Sequence, residues 1–115
     1  MFNRDVALIN LTPHPVNILD RGNEFICAIR AVLPTARVTV TRELVGYVNG
    51  MPVNSTVFGE LQDLPEPKEG VAYIVSLVCA QAAKLNGRTE DLYVPDDVVR
   101  DADGHIIGCR ALTQV

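Results

Sequence analysis

Val71-Ala-Tyr-Ile-Val-Ser-Leu-Val-Cys-Ala-Gln-Ala-Ala-Lys-Leu-Asn-Gly87, followed three residues later by Asp91-Leu-Tyr-Val-Pro95, is the stretch on which the fold turns. The unbroken apolar run Val71 to Val75 is what a strand covered on both faces requires, since neither set of its alternating side chains meets water. Ser76 stands where a hydroxyl caps a helix, and Leu77 to Leu85 repeats apolar residues at three- and four-residue spacing until Asn86-Gly87 ends it. With 91–95 as the next strand, the segment predicts a strand-helix-strand unit, a right-handed parallel crossover if both strands join one sheet.

Working outward toward the N-terminus, Leu64-Pro-Glu-Pro-Lys-Glu-Gly70 reads as loop, stiffened by its prolines. Asn49-Gly50 is a strong hairpin signal between Leu44–Val48 and Met51–Phe58, with Pro52 pointing to an edge or a bulge. Ala36-Arg-Val-Thr-Val-Thr-Arg42 alternates, Ala36, Val38 and Val40 on one side and Arg37, Thr39 and Thr41 on the other. Val16–Leu19 and Glu24–Ile29 form a second hairpin through Asp20-Arg-Gly-Asn23. Val6–Asn10 is a short strand, and Thr12-Pro-His-Pro15 breaks it with an extended, rigid loop. On the other side, Val98–Leu112 reads as a final hairpin turning at Asp101-Ala-Asp-Gly104, where Gly104 can take a positive φ. Asp96-Asp97 reads as a separate turn. The sum is an α+β fold: a mixed, mainly antiparallel sheet or partly open barrel with one packed helix at about 76–86.

The bulk numbers narrow the class. At 115 residues the chain is the size of one domain, 1–115, and 48% hydrophobic with 21% charged residues is globular composition. A net charge of -4, with basic residues scattered singly, gives no field for duplex nucleic acid, and six aromatic residues without tryptophan leave few platforms for single strands. Met1-Phe-Asn-Arg-Asp5 has no long apolar run behind it, so neither signal peptide nor membrane helix is expected, and the expected location is the cytoplasm. Cys27, Cys79 and Cys109, odd in number and without a Cys-x-x-Cys pair, read as buried reduced thiols, so no disulfide frame and no bound metal or other cofactor is expected.

Three blocks together, Asn10-Leu-Thr-Pro-His-Pro-Val-Asn-Ile18, Phe58 to Gly70 running into Tyr73-Ile-Val-Ser76, and Asp91–Pro95 with Asp103-Gly-His-Ile-Ile-Gly-Cys-Arg110, carry a resemblance. The chain resembles a group of short, uncharacterised bacterial and bacteriophage proteins that open with a similar Asn-Leu-Thr-Pro-His segment. The resemblance implies an origin and, by analogy, a role in binding a host protein or a host signalling nucleotide; it brings no mechanism.

The chemistry-bearing residues are few. His14 lies between two prolines that hold its backbone, with Asn10 and Thr12 near enough in sequence to orient it, which suits recognition of a phosphate, carboxylate or base edge; the plainer alternative is a hydrogen-bonded loop corner. Ser76 and Cys79 sit at a strand-to-helix junction, where backbone N–H groups favour an anion and a lowered thiol pKa. That junction lacks the glycines of a nucleophile elbow, so Ser76 as N-cap and Cys79 as core filling is the simpler reading. Arg37 and Arg110 can fork onto phosphate, or can be salt-bridged on the surface. Asp101 and Asp103 lack the remaining ligands of a calcium loop and read as a turn. Glycine-rich phosphate loops, His-Glu-x-x-His and paired-carboxylate patterns are missing from the sequence.

The expectation is a small binding protein that sequesters a nucleotide-like or other small anionic ligand through Asn10, Thr12, His14, Arg37, Ser76 and Arg110. A homo-oligomer with its pocket between subunits is expected, because so small a domain has little interior to spare. The alternatives are an interaction module that inhibits or scaffolds a host protein through its strand edges or the 64–70 loop, and a hydrolase or transferase using Cys79 or Ser76.

Overall fold

The computed structural model describes residues 6–115; the opening Met1–Asp5, on which the expectation of no signal peptide rests, lies outside them. The elements run β1 (Ala7–Asn10), β2 (Val16–Leu19), β3 (Phe25–Ile29), β4 (Arg37–Val48), β5 (Met51–Gln62), β6 (Val71–Ile74), α1 (Leu77–Leu85), β7 (Leu92–Arg100) and β8 (Ile106–Thr113). Six strands form one sheet in the order β1-β6-β7-β8-β2-β3, while β4 and β5 pair only with each other. The fold is α+β, mostly strand with one short helix.

The strand-helix-strand unit is the centre of the sheet. β6 pairs in parallel with β1 on one side and with β7 on the other, Tyr73 against Leu92 and Ile74 against Tyr93. Ala72, Tyr73, Ile74 and Val75 are all buried, as an apolar run without alternation demands. β7 turns back antiparallel into β8, β8 meets β2 in parallel through Ile18 and Cys109, and β2 turns back into β3. Three strand pairs of the six-stranded sheet are parallel and two antiparallel, yet antiparallel partners are already the more numerous by residue, and the β4–β5 ribbon adds to that majority. The sheet curls without closing into a barrel: its outer strands meet only at a single bridge between Asn10 and Ala31, with the Val32 N–H donating to the Asn10 carbonyl at 2.8 Å.

Helix α1 packs on this sheet through its small residues. Ser76 caps it, Oγ accepting from the Cys79 N–H at 3.3 Å, and Asn86 with Gly87 at φ +81° closes it. Cys79, Ala80 and Ala83 bring the helix close to Leu11, Ala36, Tyr73, Val75, Leu92 and Val94, and the Cys79 thiol donates to the Ala36 carbonyl at 3.4 Å. Ile74 and Leu92 are among the largest fully enclosed side chains, each worth about 1.5–3 kcal/mol of burial. Among the described residues no helix is long and apolar enough to cross a membrane.

Several expectations need correction. The alternating segment 36–42 and the hairpin strand 44–48 are one continuous strand, β4, which faces β5 over its whole length around an Asn49-Gly50 turn with φ +48° and +80°. Asp96-Asp97 is no separate turn: both lie inside β7, and Asp97 holds φ +50° there while its carboxylate meets Arg110 of the adjoining strand. Cys27 is exposed, because β3 is an outer strand whose Phe25 to Ala28 no described residue covers; Cys79 and Cys109 are buried, and all three are free thiols. The Thr12–Pro15 loop is bent back on itself, for reasons that lie in Asn10.

Candidate functional site

Asn10 is completely enclosed, and every hydrogen-bonding group of its amide is engaged. Its Nδ2 donates to the His14 carbonyl at 2.8 Å and to the Ile29 carbonyl at 3.0 Å. Its Oδ1 accepts from the Thr12 N–H at 2.9 Å and from Thr12 Oγ1 at 2.6 Å. One buried side chain therefore bends the Thr12–Pro15 loop and ties it to the end of β3. The bonds reach the His14 backbone and leave its imidazole exposed, without a hydrogen bond among the described residues. Asn10 shapes the loop and has nothing left to offer a ligand.

The bent loop forms the rim of a cavity of about 420 Å³. Thr12, His14, Asn17 and Ser76 supply its polar groups; Val16, Val75, Pro95, Val98, Ile106 and Ile107 make its apolar walls, and Gly108 and Cys109 line it as well. The position follows from topology. β1 and β6 run parallel and side by side, so the loop after β1 and the helix start after β6 emerge at the same end of the sheet, the end at which open sheets with parallel strands take ligands. The start of α1, with the positive end of its dipole, stands at the cavity edge through Ser76.

Gly108 decides how closely β8 approaches β2. A methyl group built there would stand 2.8 Å from Leu19 Cγ and 2.9 Å from the Asn17 carbonyl oxygen, too close for any side chain. The Asn17 amide reaches across this seam to the Ile107 carbonyl at 3.2 Å. Beside it, burial pushes the Cys109 thiol pKa up, assisted by the carboxylates of Asp96 and Asp97 and opposed by backbone hydrogen bonds at Ala111 and Asp96. The shift favours the neutral thiol, the less nucleophilic form. Cys79 is sealed in the core and Ser76 Oγ accepts the cap bond from the Cys79 N–H, keeping its own proton for a further acceptor, which is the simpler of the two readings of that junction.

Of the six residues singled out from sequence, Thr12, His14 and Ser76 meet in the cavity, and Asn10 stands behind it. The other two are elsewhere and engaged. Arg37, at the foot of the β4–β5 ribbon, donates through Nε to Gln62 at 3.0 Å and approaches Asp63 at 3.7 Å. Arg110 donates to Asn23 at 2.8 Å and to Asp97 at 3.1 Å, clasping the β2–β3 turn against β7. Among the described residues no lysine or arginine lines the cavity. Asn17, Ile106, Ile107 and Gly108 were not foreseen as site residues; the apolar pair Ile106-Ile107 directly after the turn of the final hairpin was the one available signal.

The cavity is lined by residues of a single chain. A second one, about 360 Å³, opens between Leu33, Pro34, Asp63, Leu64, Pro65 and Tyr73, and Asp63, its one charged group among the described residues, faces Arg37. The exposed trio Asp101, Asp103 and His105 comes within 4.8 Å, but Asp101 Oδ1 already accepts from the Asp103 and His105 N–H groups, the arrangement of the predicted turn. Comparison of the chain with protein-family models, curated proteins and solved structures finds no match.

Proposed function

We propose that the protein is a binding protein for a small nucleotide-like molecule, held in the cavity rimmed by Thr12, His14 and Ser76. The observation that carries this reading is the convergence of those three polar groups, from two separate loops, on one largely apolar cavity at the carboxyl end of parallel strands. The flat apolar part of such a ligand fits between Val98, Ile106 and Ile107, and its polar edge meets the free imidazole of His14 and the hydroxyls of Thr12 and Ser76. With no lysine or arginine among the described residues of the walls, the chemistry favours a base or a single anionic group over a polyphosphate.

Sequestration without turnover is the corresponding mode, supported by the sealed Cys79, the raised pKa of the Cys109 thiol and the capping bond at Ser76 Oγ. The segment that carries the resemblance to short bacterial and bacteriophage proteins, Asn10 to Ile18, is the cavity's rim and one of its walls, which agrees with a role in binding. Calorimetry and thermal-shift measurements against nucleobases, nucleoside monophosphates, cyclic nucleotides and ADP-ribose test it. A saturable shift is expected, weakened about tenfold by His14→Ala through the lost hydrogen bond. No response to any of these ligands, or an unchanged affinity in His14→Ala, overturns it.

A further inference from the structure

Two asparagines flank the bent rim of the cavity, and the fold uses them differently. Asn10 is enclosed with every hydrogen-bonding group of its amide engaged, as a purely structural amide requires. Asn17 is half-buried in the cavity wall and makes one side-chain hydrogen bond among the described residues, from Nδ2 to the Ile107 carbonyl at 3.2 Å. That bond orients the amide: a carbonyl can only accept, so the nitrogen and not the oxygen must face it. Oδ1 and the second Nδ2 hydrogen are left over, an acceptor and a donor in one plane.

The place of this amide matters as much as its free groups. The tether holds it beside Ile107, and Val98, Ile106 and Ile107 are the apolar walls between which a flat ring fits. Its backbone is fixed as well. Asn17 pairs with Ala28 of β3, and a methyl group at Gly108 would stand 2.9 Å from its carbonyl oxygen. A held donor and acceptor at the edge of an apolar slot suit a heterocycle, as in the two-bond pairing that an asparagine side chain makes with adenine. An ionised phosphate offers acceptors only, and it meets no lysine or arginine among the described wall residues. Cys109, in the same wall, feels the carboxylates of Asp96 and Asp97, a field that opposes an anion. Thr12 Oγ1, its single hydrogen directed to Asn10 Oδ1 at 2.6 Å, brings the cavity a further acceptor, which favours an amino substituent over an oxo one.

We propose that Asn17 is the specificity-determining residue of the cavity and that it selects an adenine-type base, Oδ1 accepting from the exocyclic amine and Nδ2 donating to the adjacent ring nitrogen. The inference rests on the cavity being the ligand site and goes beyond it by naming the end of the ligand that enters. The base lies along Ile107, and the sugar is turned toward His14 at the rim.

Calorimetry of the full chain with adenosine, purine riboside, adenosine dimethylated on its amine, and ribose phosphate reads the choice. NMR of the Asn17 side-chain amide reads the contact. Adenosine is expected to bind and to move the Asn17 amide signals. Purine riboside, which lacks the amine, and the dimethyl analogue, whose amine carries no hydrogen, should each bind about tenfold more weakly or worse. Ribose phosphate should give no heat. In Asn17→Ala, with circular dichroism reporting the fold, adenosine and purine riboside should converge to within about twofold. Should that variant unfold, the wild-type amide signals and the analogue series decide. Binding of ribose phosphate with adenosine silent, equal affinity for adenosine and purine riboside, a preference that persists in Asn17→Ala, or unmoved Asn17 amide signals in the adenosine complex each overturns the proposal and leaves the cavity as a ligand site. Silence toward nucleosides, nucleotides and ribose phosphate alike overturns both.

Discussion

The strand-helix-strand centre and the β4–β5 ribbon are made of much the same strand-forming residues and stand at opposite extremes of burial. Val71 to Val75 has no alternation and is enclosed by neighbours on both sides and a helix above; β4 and β5 are more than twice as long as β6 and have each other and little else. In the first region tertiary packing holds the strands, and a polar residue such as Asn10 is admitted only with every hydrogen bond made. In the second the ladder is continuous but its faces are largely bare. The difference separates a packed body that shapes a cavity from an open arm.

The strongest way to break this division is to loosen the body at its most constrained point. Asn10→Ala strands the carbonyls of His14 and Ile29 and the Thr12 N–H, and should cost about 3 kcal/mol or more in urea unfolding, with the loss of ligand response as the rim relaxes. A cost below about 1 kcal/mol would mean that the amide is replaceable by water and that the loop is shaped otherwise.

Matched glycine substitutions sharpen the contrast at lower amplitude. Gly108→Ala forces β8 off β2 and should cost about 2 kcal/mol, whereas Gly46→Ala on the ribbon meets nothing within 4 Å and should fall within about 1 kcal/mol of wild type. Equal costs in the two regions would contradict the division. Smallest of the set, Ser76→Ala removes the helix cap and should lower stability by about 1 kcal/mol while also weakening the ligand response; a change in stability alone would confine Ser76 to capping.

The body was legible where one physical requirement dominates a short stretch. The apolar run before Ser76, the cap itself, the Asn86-Gly87 stop and the turns at Asp20–Asn23, Asn49-Gly50 and Asp101–Gly104 are local devices, and all stand where the residues put them. The cavity was half legible: Thr12, His14 and Ser76 meet, because the loop and the helix start follow neighbouring parallel strands. What remained hidden depends on distant pairs. Arg110 is spent on Asn23, 87 residues away, and Arg37 on Gln62, 25 away, so neither reaches the cavity. Cys27 is exposed because the strand order leaves β3 outermost, an arrangement no local pattern encodes.

The account rests most heavily on the cavity as the place where a ligand binds. Backbone amide NMR spectra of the full chain, titrated with the nucleotide that gives the largest thermal shift, test this directly. The largest changes are predicted at Thr12, His14, Ser76 and Ile107, with 44–59 unmoved. Changes centred on Arg37, on Arg110 or on the ribbon, with the cavity silent, would contradict it.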